Sequence, residues 1–214
     1  MTTSRVLSIQ TGCIQTHMLP NGEAWTTAYV KTPVNGPVAL NELGLDGDEQ
    51  QHKRFHGGEH RALLLYPAEH YTRWRQELGR DLPYGSFGEN LAVTGLGDES
   101  QVCLGDIYQI GDSVRVQVSQ PRQPCDQIYM HLRIRGIRQR VAETQRTGWY
   151  VRVVTTGVLE AGQDITLIER PYPLWTITHA QAVKDNRKFR REEALDLAAL
   201  PVLEPGWQAA LAKA

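Results

Sequence analysis

Cys125 follows an alternating apolar stretch, Val114, Val116 and Val118, and stands between Pro124 and Asp126 with Arg122 three residues before it. Pro121 and Pro124 cannot donate to a β-ladder, so the strand is expected to leave its sheet at Gln120, and the stiffened backbone then carries Arg122 and Cys125 to a rim. A neighbouring guanidinium favours thiolate over thiol, and the thiolate is both the nucleophile and the metal ligand. Composition alone leaves a second reading open, in which Cys125 is a buried free cysteine.

The stretch from His52 to Arg61 holds Lys53, Arg54 and Arg61, three histidines (His52, His56 and His60) and a single carboxylate, Glu59. With Gly57-Gly58 in its middle, the backbone can turn at positive φ and join the cations around an anion. No lysine and hydroxyl follow the glycines, so this is not a Walker loop. Judged alone, the stretch fits an anion site and a solvated glycine turn equally well. The glycine pair also interrupts any helix that would align the histidines, which disfavours a histidine metal site. A third stretch, Ser86-Phe87-Gly88-Glu89-Asn90-Leu91, offers a carboxylate and an amide to a heterocycle edge, or merely caps a turn. Gly105-Asp106 and Gly111-Asp112 read as hairpin turns without chemistry.

The elements that must position these groups are short. Ile107 to Ile110 and Val114 to Val118 read as a hairpin, Val151 to Val154 and Ile165 to Ile168 as later strands, and Leu63-Leu64-Leu65 as a fully buried one. Helical patterns run from Pro67 to Gly79, with Tyr71, Trp74 and Leu78 on one face, and from about Gln127 to Arg146, broken at Gly136. After Pro171 and Pro173 three helices are predicted, from Thr178 through Val183, from Glu192 to Leu200 and from Pro205 through Leu211. About 45 residues are too few for an independent fold, so this tail should pack on the β part. The run Arg187-Lys188-Phe189-Arg190-Arg191 reads as a solvated loop sooner than as a nucleic-acid contact.

Composition sets the outer limits. The chain has 214 residues, 41% hydrophobic and 22% charged, with a formal net charge of -1, so nothing global points to nucleic acid or an anionic membrane. No apolar run reaches the roughly 18 residues of a membrane span and no signal-peptide core follows Met1, so a cytoplasmic location is expected. Cys13, Cys103 and Cys125 are odd in number and lack a CxxC spacing, which disfavours a disulfide framework or a zinc site.

Taken in order, Gly47-Asp48, His56-Gly57-Gly58, Arg61, Tyr66, Phe87-Gly88-Glu89-Asn90-Leu91, Gly105-Asp106 and Gln120-Pro121-Arg122 with Pro124-Cys125 resemble the landmarks of the MOSC domain, named for the C-terminal part of molybdenum cofactor sulfurases. The resemblance covers roughly Gln15 to Ile168, and the tail is similar to the 3-alpha extension of a branch whose members confer resistance to 6-N-hydroxylaminopurine. One departure is Glu59-His60, where relatives often carry Pro-Asp.

The resemblance implies a mainly β (α+β) fold: a mixed β-barrel with short helices over residues 1–168, followed by a small three-helix domain over 169–214. It implies molybdenum cofactor, with Cys125 ligating the metal. Lys53, Arg54, His56, Gly57, Gly58, Arg61, Asn90 and Arg122 would then surround the phosphate and pterin. The activity implied is reduction of N-hydroxylated compounds, such as 6-N-hydroxylaminopurine to adenine. Because the chain has no dinucleotide, flavin or iron–sulfur fingerprint, electrons would come from an external flavoprotein reductase. A persulfide transferase acting through Cys125 and a non-catalytic cofactor carrier remain as alternatives, and a homodimer stays open. No nucleic-acid or membrane partner is expected.

Overall fold

The computed structural model describes residues 3–51 and 57–213, so Lys53, Arg54 and His56 lie outside the described residues. The strands are β1 (Arg5–Thr11), β2 (Gln15–Met18), β3 (Ala24–Thr27), β4 (Thr32–Pro33), β5 (Val38–Asn41), β6 (Gly44–Leu45), β7 (Leu63–Pro67), β8 (Leu91–Thr94), β9 (Ile107–Ile110), β10 (Val114–Pro121), β11 (Trp149–Thr155), β12 (Gly157–Leu159) and β13 (Ile165–Glu169). The helices are α1 (Ala68–Leu78), α2 (Gln127–Leu132), α3 (Ile137–Thr144), α4 (Ile177–Asp185), α5 (Arg191–Ala198) and α6 (Pro205–Leu211). None of them is long and apolar enough to cross a membrane.

Eight strands form one mixed sheet in the order β13-β9-β10-β11-β7-β8-β1-β4. Among the described residues only β7 and β8 run parallel, and α1 makes the crossover that a parallel pair requires. The expected barrel is instead a curled sheet whose ladder does not close. Along its seam, Val6 N donates to Gln163 O at 2.9 Å, Gly162 N to Val6 O at 2.7 Å and Ile165 N to Ser4 O at 2.7 Å.

Strand β7 divides two cores. Leu63 and Leu65 enter the large core inside the sheet, whereas Tyr66 joins Tyr71, Trp74, Phe87, Ile128, Ile137 and Val141 in a smaller one beneath the helices. All five β7 residues are buried, as expected of a strand covered on both sides. Gly79, at φ 60°, ends α1, and Gly136, at φ 75°, separates α2 from α3, both at the predicted breaks.

Two expectations need correction. Strand β10 continues to Pro121, which pairs opposite Trp149, because a register shift between Val118 and Gln120 absorbs the extra residue and a proline at the strand end has no donor to lose. Asp106 does more than turn a hairpin. It is fully buried and accepts from Cys103 N at 2.9 Å, Tyr108 Oη at 3.0 Å, and Arg170 Nε and Nη2 at 2.9 and 2.7 Å. The pair ties the β9 turn to the chain leaving β13.

The tail helices share the large core. Ile177, Ala180 and Val183 of α4, Leu197 of α5, and Trp207 and Leu211 of α6 belong to the same buried cluster as Val116 and Val118 of β10. Trp207→Ala should therefore destabilise the whole chain by about 3–5 kcal/mol. Chemical denaturation followed by far-ultraviolet circular dichroism and tryptophan fluorescence should give one coincident transition. An early, separate loss of helical signal would mean that the tail is energetically independent.

Candidate functional site

The site forms where β10 ends. Ser119, at the register shift, places its hydroxyl 2.5 Å from His60 O and 3.0 Å from Tyr150 O, tying the strand to the 3-10 turn Glu59–Arg61 and to β11. Arg122 N then donates to Gly148 O at 3.2 Å, and its guanidinium turns inward. Arg122 is 2% exposed; Nη2 donates to Phe87 O at 3.0 Å and to Tyr29 Oη at 3.3 Å, while Nη1 has no partner among the described residues. A buried cationic nitrogen without an acceptor is costly, and it marks where an anionic group would be stabilised.

Tyr29 reaches this place because residue 88 is glycine. Gly88 has φ 76°, and a Cβ there would stand 2.5 Å from the Tyr29 ring. Tyr29, Arg61, Asn90, Arg122, Cys125 and Tyr150 contribute to the wall of one cavity of about 680 Å³, counting its open mouth. Cys125 is half-buried at its edge, immediately before α2. Gln127 holds the adjoining hairpin in place by accepting from Trp25 Nε1 at 3.0 Å and Thr27 Oγ1 at 2.9 Å.

Burial pushes the Tyr29 hydroxyl far above its ordinary range, against the pull of Arg122, and raises Tyr150 for the same reason. Burial opposes the Arg122 charge, but Tyr29, Cys125 and Tyr150 outweigh it and hold Arg122 above its usual value. The tyrosines therefore remain neutral hydrogen-bonding groups beside a permanent cation.

The cavity floor is a closed polar network. Asp48 pairs with Lys31, accepts from Gly12 N at 2.8 Å and from Asn90 Nδ2 at 2.9 Å, and is nearly inaccessible to solvent. Asn90 also accepts from Leu64 N at 3.1 Å and donates to Gln10 O at 3.4 Å, so an amide expected to read a heterocycle edge is engaged with the protein. Glu89 is engaged in the same way. Its carboxylate takes Gly85 N at 2.6 Å, Phe87 N at 3.2 Å and the Tyr71 hydroxyl, and burial raises its pKa.

The glycine pair has the positive φ expected of it at Gly58. Gly58, at φ 92°, begins the turn that carries Arg61, and open space surrounds its Cβ position. It opens onto a neighbouring hollow with Glu49 and Gln50. Gly57 is buried. Among the described residues no three His, Cys, Asp or Glu side chains gather as a metal site. Sequence reasoning missed Tyr29, Lys31 and Tyr150, which come from separate elements and carry no local signal; Asp48 was marked only as a family landmark.

Residues 52–166 match the MOSC domain. The protein YiiM of Escherichia coli (strain K12) is 36% identical over 97% of this chain and 91% of its own length. A protein named Reductase from Gibberella moniliformis is 36% identical over 93% of the chain, which spans only 35% of that longer protein. The crystal structure of YiiM from Geobacillus stearothermophilus superposes with a TM-score of 0.82 at 31% identity, covering 98% of both chains.

If Asn90 is a clamp, Asn90→Ala leaves Leu64 N and Asp48 short of partners and should cost about 2–4 kcal/mol in chemical unfolding, the scale of more than one lost buried partner. A change below about 0.5 kcal/mol, the scale of a free rim side chain, would return Asn90 to a ligand-reading role.

Proposed function

Because the chain belongs to the MOSC domain family, associated with the molybdenum cofactor, we propose that it is a molybdenum-cofactor-dependent reductase of N-hydroxylated compounds such as hydroxylaminopurine bases. The observation that carries this reading is the pairing, in one cavity, of a half-buried thiol with a buried guanidinium whose Nη1 lacks an acceptor among the described residues. The cofactor combines a soft metal site with a phosphate, and a thiol and a guanidinium are the kinds of group that suit these two parts.

Cys125 would hold molybdenum through its thiolate, a soft ligand suited to a metal already bound by sulfur. Arg122 would meet the anionic part of the cofactor, with Arg61 beside it in the same wall, and Lys53 and Arg54 would add charge from the adjoining basic stretch. Tyr29 and Tyr150 would present neutral hydroxyls and exclude water. When bound, the cofactor supplies the two-electron chemistry that, with two protons, takes an N-hydroxyl compound to amine and water. The chain has no nicotinamide or flavin fingerprint of its own, so the electrons would come from a separate flavoprotein. The name of the Gibberella relative supports the oxidoreductase class.

Cys125→Ser tests the metal-ligand role. The hydroxyl is harder and far less acidic, so with a chemical reductant supplied the variant should fail to convert 6-N-hydroxylaminopurine to adenine while the parent protein succeeds. Stability should change by less than about 0.5 kcal/mol, as expected at a rim position. Near-full, molybdenum-dependent activity in the variant would remove Cys125 from the metal.

A further inference from the structure

The geometry points to Glu204, in the three-helix tail, as the residue that positions Arg61 in the cavity wall, so that the tail takes part in anion binding. This rests on the reading of the cavity as the seat of a phosphate-bearing cofactor. Arg61 closes a three-residue 3-10 turn in which no residue is buried, so the turn cannot fix a long side chain by its own packing. Contacts from outside fix it. Arg61 Nη2 lies 3.1 Å from Glu204 Oε1, with the two side chains 17% and 12% exposed. With the Gln120 amide oriented to satisfy its neighbours, its oxygen accepts from Arg61 Nε at 3.0 Å and its nitrogen donates to Glu204 Oε2 at 3.3 Å.

Glu204 is itself anchored before it meets Arg61. Its Oε2 accepts from Trp207 N at 2.9 Å, capping α6, and its own N–H donates to Ser119 O at 3.3 Å, the residue that also holds the turn through His60. Trp207 is buried in the shared core and carries Lys184 Nζ 3.7 Å above its ring. Burial lowers Lys184 to about 8, while Glu204 pulls it the other way.

A guanidinium has five N–H donors in a rigid fork. Glu204 and Gln120 engage two of its nitrogens, fixing the plane of the fork, while Arg61 stays in the cavity wall with donors to spare. An arginine held in this way meets an anion without first losing its rotamer freedom, which is the gain of preorganisation. Docking of the tail and anion binding are thereby coupled, and each should strengthen the other.

Inorganic phosphate titrated into the cofactor-free full chain, followed by phosphorus NMR, tests this in the parent protein and in Glu204→Ala, Glu204→Gln, Arg61→Ala and the double alanine variant. Circular dichroism checks that each keeps its helices. Glu204→Ala should weaken phosphate binding about tenfold, the scale of one charge-assisted hydrogen bond. Glu204→Gln, whose amide oxygen still accepts from Arg61, should recover most of the loss, and the double variant should bind no more weakly than Arg61→Ala. Phosphate binding that is unchanged or tighter in Glu204→Ala would make the carboxylate a bystander or a competitor. Additive losses, no recovery with glutamine, or a parent protein that binds no phosphate would also overturn the positioning role. The titration uses only the cations, so this pattern, together with an absence of molybdenum from protein isolated from cofactor-competent cells, would sink the cofactor reading and leave the positioning role standing.

Discussion

The site turns on a buried cation that is not fully satisfied. Arg122 is almost inaccessible to water, donates to Phe87 O and Tyr29 Oη, and leaves Nη1 without a partner among the described residues. Removing a guanidinium from water costs several kcal/mol, and a hydrogen bond from a charged group returns only about 1.5–3 kcal/mol. Both of these bonds use one terminal nitrogen, and an anion would engage the other. Several local oddities of the chain serve this one placement. The register shift at Ser119 aims the strand end inward, the absence of a Cβ at Gly88 lets Tyr29 lie across the backbone, and Gly148 supplies the carbonyl that catches Arg122 N.

The surrounding fold supplies rigidity from two sides. Strand β7 is buried on both faces, between the inner core and the aromatic cluster of Tyr66, Tyr71, Trp74 and Phe87, so the cavity wall at Leu64 cannot drift. Tyr66 and Phe87 stack at 4.9 Å, and the loop that presents Phe87 O is clamped by Glu89. On the opposite side, the tail helices extend the inner core and bring Glu204 to Arg61. The two cavity arginines are thus supported differently. Arg122 is held by neutral oxygens, which leaves its positive charge in place, and Arg61 is held by a carboxylate, which leaves it oriented but partly neutralised.

What was legible in the sequence was what local chemistry determines. Glycines with positive φ and prolines without a donor mark where elements stop, which is why the hairpin of β9 and β10, the break at Gly136 and the start of α6 at Pro205 could be read directly. The half-buried position of Cys125 was legible for the same reason, since a strand end next to two prolines has few places to go, whereas Arg122, expected at the rim beside it, turns inward and is buried. Asn90, Glu89 and Asp106 were harder, because a short polar residue at a turn looks the same whether it faces a ligand, a backbone N–H or a distant arginine. Tyr29, Tyr150 and Glu204 depend on tertiary pairings between residues far apart in the chain, and no spacing encodes those.

The central claim is that this cavity holds molybdenum cofactor with Cys125 on the metal. The most direct test is paired quantification of molybdenum and pterin in protein isolated from cofactor-competent and cofactor-deficient cells. The account predicts metal and pterin in equal amounts, approaching the amount of chain, from the competent cells and neither from the deficient ones. Protein from both sources that lacks molybdenum and carries sulfane sulfur on Cys125 would contradict it.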